Sequence, residues 1–312
     1  MSAPLVVTPG DPTGIGPEVV CKALAARPRS AVLVGDARAV REWADRLGVR
    51  MDAIGSWDAH AGRVSVLEPG PGTEAVEVRS LRVAVAACLA GRARALVTGP
   101  IHKARLAREG FRHPGHTEFL AELCGVEAPV MAFVGGRVRV ALVTVHVPLR
   151  DVSSRLTPAR VGHTIRVADQ ALRERLGLLS PRIGVCGPNP HASDEGLIGD
   201  DEARVIAPAI ATAVAAGIDA RGPLSTETAF RAAVRGEIDL VVAAYHDQGL
   251  GPLKALAAAS ESDHAVNWTL GLPIVRTSVD HGTAHDIAGR GVADAGSMLA
   301  ALALAEQLTK GP

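Results

Sequence analysis

Residues 5–18 read LVVTPGDPTGIGPE: a short apolar run, a turn rich in glycine and proline, and then a Pro-Glu pair. A continuous apolar run of this length predicts a strand that is buried on both faces. Pro17 followed by Glu18 is typical of the first turn of a helix. The segment therefore predicts a strand that turns directly into a helix.

The same alternation recurs along the chain. Apolar runs predict further strands at residues 31–35, 95–98, 139–145, 182–186, 240–245 and 274–279. Amphipathic stretches predict helices at residues 17–26, 37–47, 74–90, 116–123, 158–176, 201–216, 226–235 and 294–308. This pattern predicts the α/β fold class, with a parallel sheet between two layers of helices.

The composition excludes several classes of protein. The chain has 312 residues, of which 47% are hydrophobic, so an intrinsically disordered protein is excluded and about two domains are expected. Lys and Arg number 33, as do Asp and Glu, so the formal net charge is zero. Because phosphate backbones are bound by clustered cations, no nucleic-acid partner is expected.

Apolar segments and cysteines bear on the cellular compartment. The longest uncharged stretch, residues 205–218, is too short to cross a bilayer, so no membrane partner is expected. No secretory signal is apparent, which favours a cytoplasmic location. The four cysteines are widely separated and form no C-x-x-C motif, which favours reduced, buried thiols.

Three histidines follow three predicted strands. His146, His191 and His246 come directly or shortly after the runs at 139–145, 182–186 and 240–245. Ligands of open parallel sheets bind beyond the carboxyl ends of the strands. Three imidazoles that converge there would suit a catalytic divalent metal with an open coordination position. A hydrogen-bonded structural role for each histidine is the alternative.

Charged and hydroxyl residues near the same edge each have more than one interpretation. Asp247 follows His246 and would act as its partner, as a base, or simply as a turn former. Lys254 and Arg276 suit an anionic substrate, and the alternative is an ordinary surface or packing role. Thr117 would either cap a helix or lie at a phosphate-binding helix end.

The glycines after the first strand do not form a nucleotide fingerprint. Gly10, Gly14 and Gly16 have the wrong spacing for G-x-G-x-x-G, and the chain contains no G-K-[ST] of a P-loop. A tight strand-to-helix turn is predicted instead.

Taken in order, five motifs resemble the 4-hydroxythreonine-4-phosphate dehydrogenase family of the pyridoxal phosphate pathway. They are Thr8-Pro9-Gly10-Asp11-Pro12-Thr13-Gly14-Ile15-Gly16-Pro17-Glu18, Gly115-His116-Thr117-Glu118, Asn189-Pro190-His191-Ala192, Tyr245-His246-Asp247-Gln248-Gly249 and Ser278-Val279-Asp280-His281-Gly282-Thr283-Ala284. The resemblance covers essentially the whole chain. Residues 281–291 also resemble the cofactor loop of isopropylmalate dehydrogenases.

The resemblance implies an architecture. It is a two-domain α/β/α fold like that of isocitrate and isopropylmalate dehydrogenases, with the active site in the interdomain cleft. Residues 1–128 plus 272–312 would form the first, discontinuous α/β domain. Residues 129–271 would form a second α/β domain that carries the metal ligands and the dimer interface.

The resemblance also implies an activity and its residues. The family oxidises 4-phosphooxy-L-threonine with NAD or NADP and a divalent zinc, magnesium or cobalt ion, and the β-keto acid formed loses carbon dioxide. It is homodimeric, with the metal site shared across the interface. By position, the family's metal ligands correspond to His146, His191 and His246, and its substrate contacts to His116, Thr117, Lys254, Asn267 and Arg276. We expect Asp247 or Lys254 to be the proton acceptor. The resemblance of residues 281–291 to the isopropylmalate dehydrogenase loop implies cofactor contacts at Gly282, Thr283, Asp286 and Gly289.

Three departures from the family pattern leave alternatives open. Residues 193–195 are Ser-Asp-Glu where Gly-Glu is usual, extra residues lie at 257–263, and Trp268 and His285 stand where smaller or apolar residues are common. A dehydrogenase of D-threonate or D-erythronate 4-phosphate is therefore a close alternative. A metal-dependent lyase without redox chemistry, or a metabolite-binding paralogue, is a second one.

Overall fold

A computed structural model describes residues 3–259 and 264–310. The described chain divides into two compact units. One contains the residues up to Pro129 together with Leu272–Lys310, and the other lies within Val130–Gly271. The chain leaves the first unit once and returns to it, so the first unit is discontinuous in sequence. The two units are called unit 1 and unit 2 below.

Strands and helices alternate through the chain. The strands are β1 (Leu5–Thr8), β2 (Ala31–Val34), β3 (Asp52–Ile54), β4 (Val64–Leu67), β5 (Ala95–Thr98), β6 (Val130–Gly135), β7 (Val138–Leu142), β8 (Arg182–Cys186), β9 (Asp219–Leu224), β10 (Leu240–Ala243), β11 (Val266–Leu270) and β12 (Arg276–Ser278). The helices are α1 (Gly16–Ala26), α2 (Ala37–Arg46), α3 (Val76–Leu89), α4 (Lys103–Arg108), α5 (His116–Leu123), α6 (Val152–Arg155), α7 (Pro158–Leu176), α8 (Ala207–Ala215), α9 (Thr226–Val234), α10 (His246–Ala258) and α11 (Gly296–Gln307).

Unit 1 is built on a parallel sheet with strand order β3-β4-β2-β1-β5-β12. Every residue of β1, β2, β4, β5 and β12 is buried, as expected for strands covered by helices on both faces. Helix α3 packs with α5, whereas α1 packs with α2 and α11. The apolar side chains of β1, β2 and α3, among them Val6, Val32 and Leu81, form one contiguous core.

Unit 2 has strand order β11-β6-β7-β10-β8-β9. Strands β7, β10, β8 and β9 are parallel, but β6 runs antiparallel to both β7 and β11. The prediction of a parallel sheet therefore holds for β7, β10, β8 and β9 and is wrong for the pairings made by β6. The reason is local: only Gly136 and Arg137 separate β6 from β7, and a two-residue hairpin can join only antiparallel strands.

The turn after β1 is tight, as predicted. Gly10 has a φ of +86°, and a Cβ on Gly16 would lie 1.9 Å from the carbonyl oxygen of Pro9. The backbone N–H of Asp11 donates to the carbonyl of Pro100, which follows β5. Glycine is required at these positions because a backbone carbonyl approaches each of them closely, that of Pro100 at Gly10 and that of Pro9 at Gly16.

The cysteines are less uniformly buried than predicted. All four are free thiols; Cys21 and Cys186 are buried, whereas Cys88 and Cys124 are only partly buried. Burial raises the pKa of the Cys21 and Cys186 thiols to about 12, so both stay protonated at neutral pH. Within the described ranges, no helix is long and apolar enough to cross a membrane.

Candidate active site

Three neighbouring parallel strands of unit 2 end at one edge of its sheet. Their order is β7-β10-β8, and the chain after them carries His146, His246 and His191 respectively. Because the carboxyl ends of parallel strands lie at the same edge, this order places His246 on the middle strand end. The three histidines therefore follow strand ends, as the sequence predicted, and the sheet order adds that the three strands are neighbours.

His146 and His246 lie side by side. Their ring centroids are 5.8 Å apart, and the rings are tilted by 43°. The pairing of β7 with β10 continues past both strands, since the N–H and the hydroxyl of Thr144 both donate to the carbonyl of Ala244, at 3.1 and 2.7 Å. Backbone pairing thus fixes the two imidazoles next to each other.

His246 begins a helix rather than a turn. Tyr245 is the N-cap of α10, and residues 246–249, predicted as a strand-end turn, form its first helical turn. The reading of Asp247 as a turn former is therefore wrong. Its carboxylate Oδ1 lies 2.7 Å from Nδ1 of His246, which leaves Nε2 of that ring directed away from the carboxylate. A carboxylate on one ring nitrogen is the usual support for a histidine that binds metal through the other.

Gln248 joins the strand ends on either side of His246, a role the sequence did not reveal. This buried side chain accepts from the N–H of Ala244 at 2.7 Å and donates to the carbonyl of Gly187 at 2.8 Å. The side-chain amide of Gln248 also donates to the hydroxyl of Thr226 at 3.0 Å. Gln248 therefore links the start of α10 to the segment that leads from β8 to His191.

His191 lies in a left-handed turn. Residues 191–195 all have φ between +47° and +70°, and none of them is glycine. Left-handed backbone costs roughly 1–2 kcal/mol per residue for side chains with a Cβ. The imidazole of His191 is exposed at this turn. The Ser-Asp-Glu departure noted in the sequence thus falls on strained backbone.

Two acidic side chains hold the start of this turn. Glu202 accepts from the backbone N–H of Asn189 at 2.9 Å and from its side-chain amide at 2.9 Å. The amide also donates to Asp201 at 3.2 Å, and Ser153 donates to Asp201 at 2.7 Å. Both carboxyl groups are buried. The position of Asn189, two residues before His191, is therefore firmly set.

The three histidines do not form a complete metal site in one chain. Within residues 3–259 and 264–310, no three His, Cys, Asp or Glu side chains form an arrangement that could hold a metal ion. His146 and His246 supply two adjacent imidazoles. Among the described residues, His191 does not join them in an arrangement that could hold a metal ion. Two neighbouring imidazoles, one supported by a carboxylate, fit part of a divalent metal site.

The other predicted site residues of unit 2 lie on α10 and β11. Lys254 is exposed and follows Asp247 by seven residues, which places both on the same face of α10. Asn267 is buried in β11, opposite Phe133 of β6. The extra residues at 257–263 fall partly on positions 260–263, which lie outside the described residues.

Unit 1 collects positive charge around His116. Burial and the charges of Arg276 and Lys103 hold the pKa of His116 well below its usual range. Its buried Nε2 has no hydrogen-bond partner among the described residues. A neutral imidazole with an unused nitrogen beside two cations fits an anionic group such as a phosphate.

Arg276 is almost completely buried in β12. Its Nη2 donates to the hydroxyl of Thr98 at 2.7 Å. Burial lowers the pKa of Arg276 to about 9, while the carboxylate of Glu118 acts in the opposite direction. The guanidinium is therefore charged at neutral pH, and it is held by the end of β5.

Thr117 is not the helix cap. Gly115 occupies the N-cap position of α5, without a side-chain cap, and Thr117 lies one residue inside the first turn. Lys103 is a further cation that was not selected from the sequence. Its Nζ lies 3.5 Å from where a Cβ on Gly115 would be. The sequence feature that could have identified Lys103 is its position directly after the turn that follows β5.

The predicted cofactor residues lie in the long loop between β12 and α11. The carbonyl of Thr283 accepts from the N–H of Ile15 at 3.0 Å, which joins this loop to the turn after β1. Gly282 and Gly289 are exposed, and a Cβ on either would have no heavy atom within 4 Å. Asp286 is also exposed. Open backbone at the loop surface fits the close approach of a dinucleotide.

A buried carboxylate supports this loop. Asp11 accepts from the hydroxyl of Thr13 at 2.7 Å and lies 3.2 Å from Nε2 of His285. Burial acts to raise the pKa of Asp11, but the hydrogen bonds from Thr13, the charge of Arg105 and the contact with His285 outweigh it, so the pKa lies below its ordinary value. His285, which departs from the family pattern, is thus a hydrogen-bonding partner of Asp11.

Comparison with known proteins decides the family. A family model described as "Pyridoxal phosphate biosynthetic protein PdxA" matches residues 27–305. The chain belongs to the PdxA family. The resemblance inferred from the five motifs is confirmed.

Relatives and solved structures of the PdxA family match over nearly the full chain. A 4-hydroxythreonine-4-phosphate dehydrogenase of Geobacter metallireducens is 44% identical, over 98% of this chain and 95% of that one. One of Bradyrhizobium diazoefficiens is 43% identical, over 98% and 96%. The crystal structure of the Klebsiella pneumoniae enzyme of that name has 36% identity and a TM-score of 0.88, and 99% of each chain is covered.

A related activity also occurs on this fold. The structure of a terephthalate 1,2-cis-dihydrodioldehydrogenase from Burkholderia xenovorans has 28% identity and a TM-score of 0.69, with 98% of each chain covered. The prediction of an α/β oxidoreductase of pyridoxal phosphate biosynthesis is confirmed at the level of the PdxA family. Membership of this dehydrogenase family implies a nicotinamide cofactor and a divalent metal ion.

Proposed function

We propose that this chain oxidises the secondary alcohol of 4-phosphooxy-L-threonine and passes the hydride to NAD or NADP. The β-keto acid product then loses carbon dioxide to give 3-amino-2-oxopropyl phosphate. The observation that carries this proposal is the full-length similarity to relatives named 4-hydroxythreonine-4-phosphate dehydrogenase. The cation-rich group in unit 1 and the paired imidazoles in unit 2 support it.

The phosphate end of the substrate is assigned to unit 1. Arg276 and Lys103 supply positive charge, and His116 stays neutral because of its lowered pKa. The tautomer of the neutral ring that carries its proton on Nε2 would donate one hydrogen bond from this atom, which has no partner among the described residues. Thr117 adds a hydroxyl in the same helical turn. Binding here orients the substrate through a group that does not react.

The metal end is assigned to unit 2. We assign His146 and His246 of one chain and His191 of a second copy as the ligands. When bound, a divalent ion would stabilise the negative charge that develops on oxygen in both the oxidation and the decarboxylation. Three imidazoles favour zinc or cobalt over magnesium, which takes oxygen ligands.

Asp247 and Lys254 then have separate roles. Because the Asp247 carboxylate already binds Nδ1 of His246, it serves to orient that ring. Lys254, two turns further along the same helix face, becomes the candidate proton acceptor for the alcohol. Asn267 is the candidate hydrogen-bonding contact to the substrate from β11.

A homodimer follows from the same assignment. Exposed apolar side chains flank the two histidine segments: Leu149 is 71% exposed and Leu197 84% exposed. A second copy that delivers His191 would cover them, and covering an apolar side chain is favourable by roughly 1.5–3 kcal/mol. The loop with Gly282, Thr283, Asp286 and Gly289 is assigned to the nicotinamide cofactor, whose chemistry is hydride acceptance. A cytoplasmic location is part of this proposal.

A substrate comparison tests the proposal. NAD(P)H formation is measured with 4-phosphooxy-L-threonine and with D-threonate and D-erythronate 4-phosphates, each with zinc, cobalt or magnesium. We expect the highest kcat/KM with the amino acid. Higher kcat/KM with a sugar acid would favour the second candidate, which the Ser-Asp-Glu departure at 193–195 and Trp268 beside Asn267 support. Product formation without any NAD(P)H would indicate a lyase, and binding without turnover a paralogue.

A further inference from the structure

A cavity in unit 1 lies away from every residue assigned above. Its volume is about 550 Å³, and it is lined by segments at the amino ends of strands. Ser30 directly precedes β2, Val64 begins β4, and Arg50 lies two residues before β3. Of the assigned residues of unit 1, Arg276 lies in β12 and donates to Thr98 at the carboxyl end of β5, and the others follow the carboxyl ends of β5 and β12. Since all these strands are parallel, the cavity lies at the opposite edge of the sheet.

The charged groups on the cavity wall have one sign. Arg29, Arg50 and Arg63 line it, and none of the described residues that line it is acidic. Arg50 and Arg63 are exposed. Guanidinium groups bind phosphate and carboxylate oxygens through paired hydrogen bonds. The lining therefore favours an anion.

Arg29 adds charge that its neighbours do not fully neutralise. Its side chain is 4% exposed, and Nη1 lies 3.5 Å from Glu306. The same carboxylate lies 3.6 Å from Nη2 of Arg94, so one negative charge is shared by two guanidinium groups. Neither terminal nitrogen of Arg29 has a hydrogen-bond partner in the described part of the chain. A net positive charge is thus held beside the cavity wall.

Ser30 offers an oriented hydroxyl on the same wall. Its Oγ lies 3.0 Å from Nε2 of His60, and Nδ1 of His60 lies 2.9 Å from the hydroxyl of Ser65. Burial lowers the pKa of His60, against the opposite influence of Asp52, so the imidazole is neutral at pH 7. The hydroxyl of Ser30 is therefore held by a neutral ring.

The rest of the wall is mostly apolar. Leu24, Leu47, Val49 and Val64 line it. Cavities of about 300–1,000 Å³ with apolar walls and a few placed polar groups are typical of small-molecule sites. A lone inorganic ion would leave these aliphatic side chains without contact. The lining suits a ligand that has an anionic head and an apolar body.

We propose that this cavity binds a small organic phosphate monoester with a compact apolar or aromatic body. The phosphate would contact Arg50 and Arg63, and the body would pack on the aliphatic wall. This site is independent of the proposed dehydrogenase function, because no residue assigned to substrate, metal or cofactor lines the cavity.

Phenyl phosphate is the probe. Backbone amide NMR shifts of the full-length protein are followed during titration, so that binding is located as well as measured. We expect saturable shifts at Ser30, Gly48 and Gly62, which lie on the cavity wall. The double variant Arg50→Gln/Arg63→Gln should bind at least tenfold more weakly. Arg41→Gln removes an exposed arginine of α2 that does not line the cavity, and it should bind like wild type.

Other outcomes would overturn the proposal. These are the absence of saturable shifts at the cavity wall, equal affinity in the double variant, or inorganic phosphate or phenol binding as tightly as phenyl phosphate. Shifts confined to His116 and its neighbours would place binding at the substrate site alone and would also contradict it. Ala25→Phe, which fills the cavity from an exposed position, should abolish the wall shifts. Unchanged dehydrogenase activity shows that each variant is folded.

Discussion

The imidazole rings of His146 and His246 lie 5.8 Å apart although 100 residues separate them in the chain. The adjacency results from the parallel pairing of β7 with β10, which continues to Thr144 and Ala244. His246 begins α10, and His146 lies two residues after Thr144, which still pairs with Ala244. A pair fixed by backbone pairing is the kind of preorganised group that a metal site requires.

The proposed sharing of the metal site predicts complementation between two inactive variants. His146→Ala and His191→Ala should each lower kcat/KM by about 100-fold, because each removes one metal ligand. A mixed dimer of the two variants retains one intact set of histidines. Random exchange of subunits in an equal mixture should therefore restore about a quarter of wild-type activity.

The control is an equal mixture of His146→Ala and His246→Ala. These two residues belong to the same chain's share of the site, so their mixed dimer has no intact set and should stay inactive. Recovery in the control, or its absence in the first mixture, would contradict the shared site.

Two glycines of α10 provide a test of how the helix sits on the sheet. A Cβ on Gly249 would lie 2.7 Å from Leu142 and 2.8 Å from Val140 in β7. Gly249→Ala should therefore lower the free energy of unfolding by about 1–3 kcal/mol. It should also weaken zinc binding, because α10 carries His246. Both effects are measured by urea unfolding and by calorimetric titration with zinc.

Gly251 is the matched control on the same helix. No heavy atom lies within 4 Å of its Cβ position. Gly251→Ala should raise stability by about 0.5–1 kcal/mol through helix propensity and leave zinc binding unchanged. Equal effects of the two substitutions would show that close packing on β7 is not what positions α10.

Arg276 predicts the pH dependence of substrate binding. Its pKa of about 9 means that the positive charge is lost as pH rises through that value. KM for the phosphorylated substrate should rise by about tenfold per pH unit above 9. His116, whose pKa is lowered, should add no titration between pH 6 and 8.

The free energy of unfolding should rise with pH through the titration of Arg276, whereas substrate binding weakens. The pKa of Arg276 is lower in the folded chain than in the unfolded one, so burying the charge costs stability below pH 9. That cost is relieved as pH rises above 9. Weaker binding at high pH is therefore not caused by unfolding through Arg276. A KM that is constant from pH 8 to 10 would contradict the role of Arg276.

The left-handed turn after β8 predicts a stabilising substitution. Glu195 is exposed and has a φ of +56°. Glu195→Gly should raise the free energy of unfolding by about 0.5–1 kcal/mol, because glycine adopts this backbone without strain. Glu174→Gly in the regular helix α7 is the control, and it should lower stability by about 1 kcal/mol. A loss of stability in both variants would show that the turn at residues 191–195 is not strained.

Much of the fold could be predicted from apolar runs. Strands β1, β5 and β8, and helices α5 and α7, have the predicted bounds because their burial patterns are strong and their ends carry turn or cap residues. Strand β6 was missed although its apolar run at residues 130–134, with two valines and a phenylalanine, carries the signal of a buried strand. Helix α10 was missed because Gly249, Gly251 and Pro252 argue locally against a helix, and packing on β7 overrides them.

The site was predictable as a set of strand ends but not as a geometry. The spacing of His146 and His246 could not show which two strands are neighbours, since strand order is a long-range property. The roles of Lys103 and Gln248 could not be predicted either, because their partners lie on segments that are distant in the sequence. Chain position identified the candidate residues, and the sheet order determined which of them meet.

The most direct measurement follows NAD(P)H formation from 4-phosphooxy-L-threonine by the metal-stripped protein before and after a divalent ion is added. We predict no turnover before addition, full turnover after it, and a rate at least about 100-fold lower for His246→Ala at saturating metal. Wild-type turnover that is unaffected by a chelator, or a His246→Ala variant that keeps the wild-type rate, would contradict a metal-dependent oxidation at these histidines.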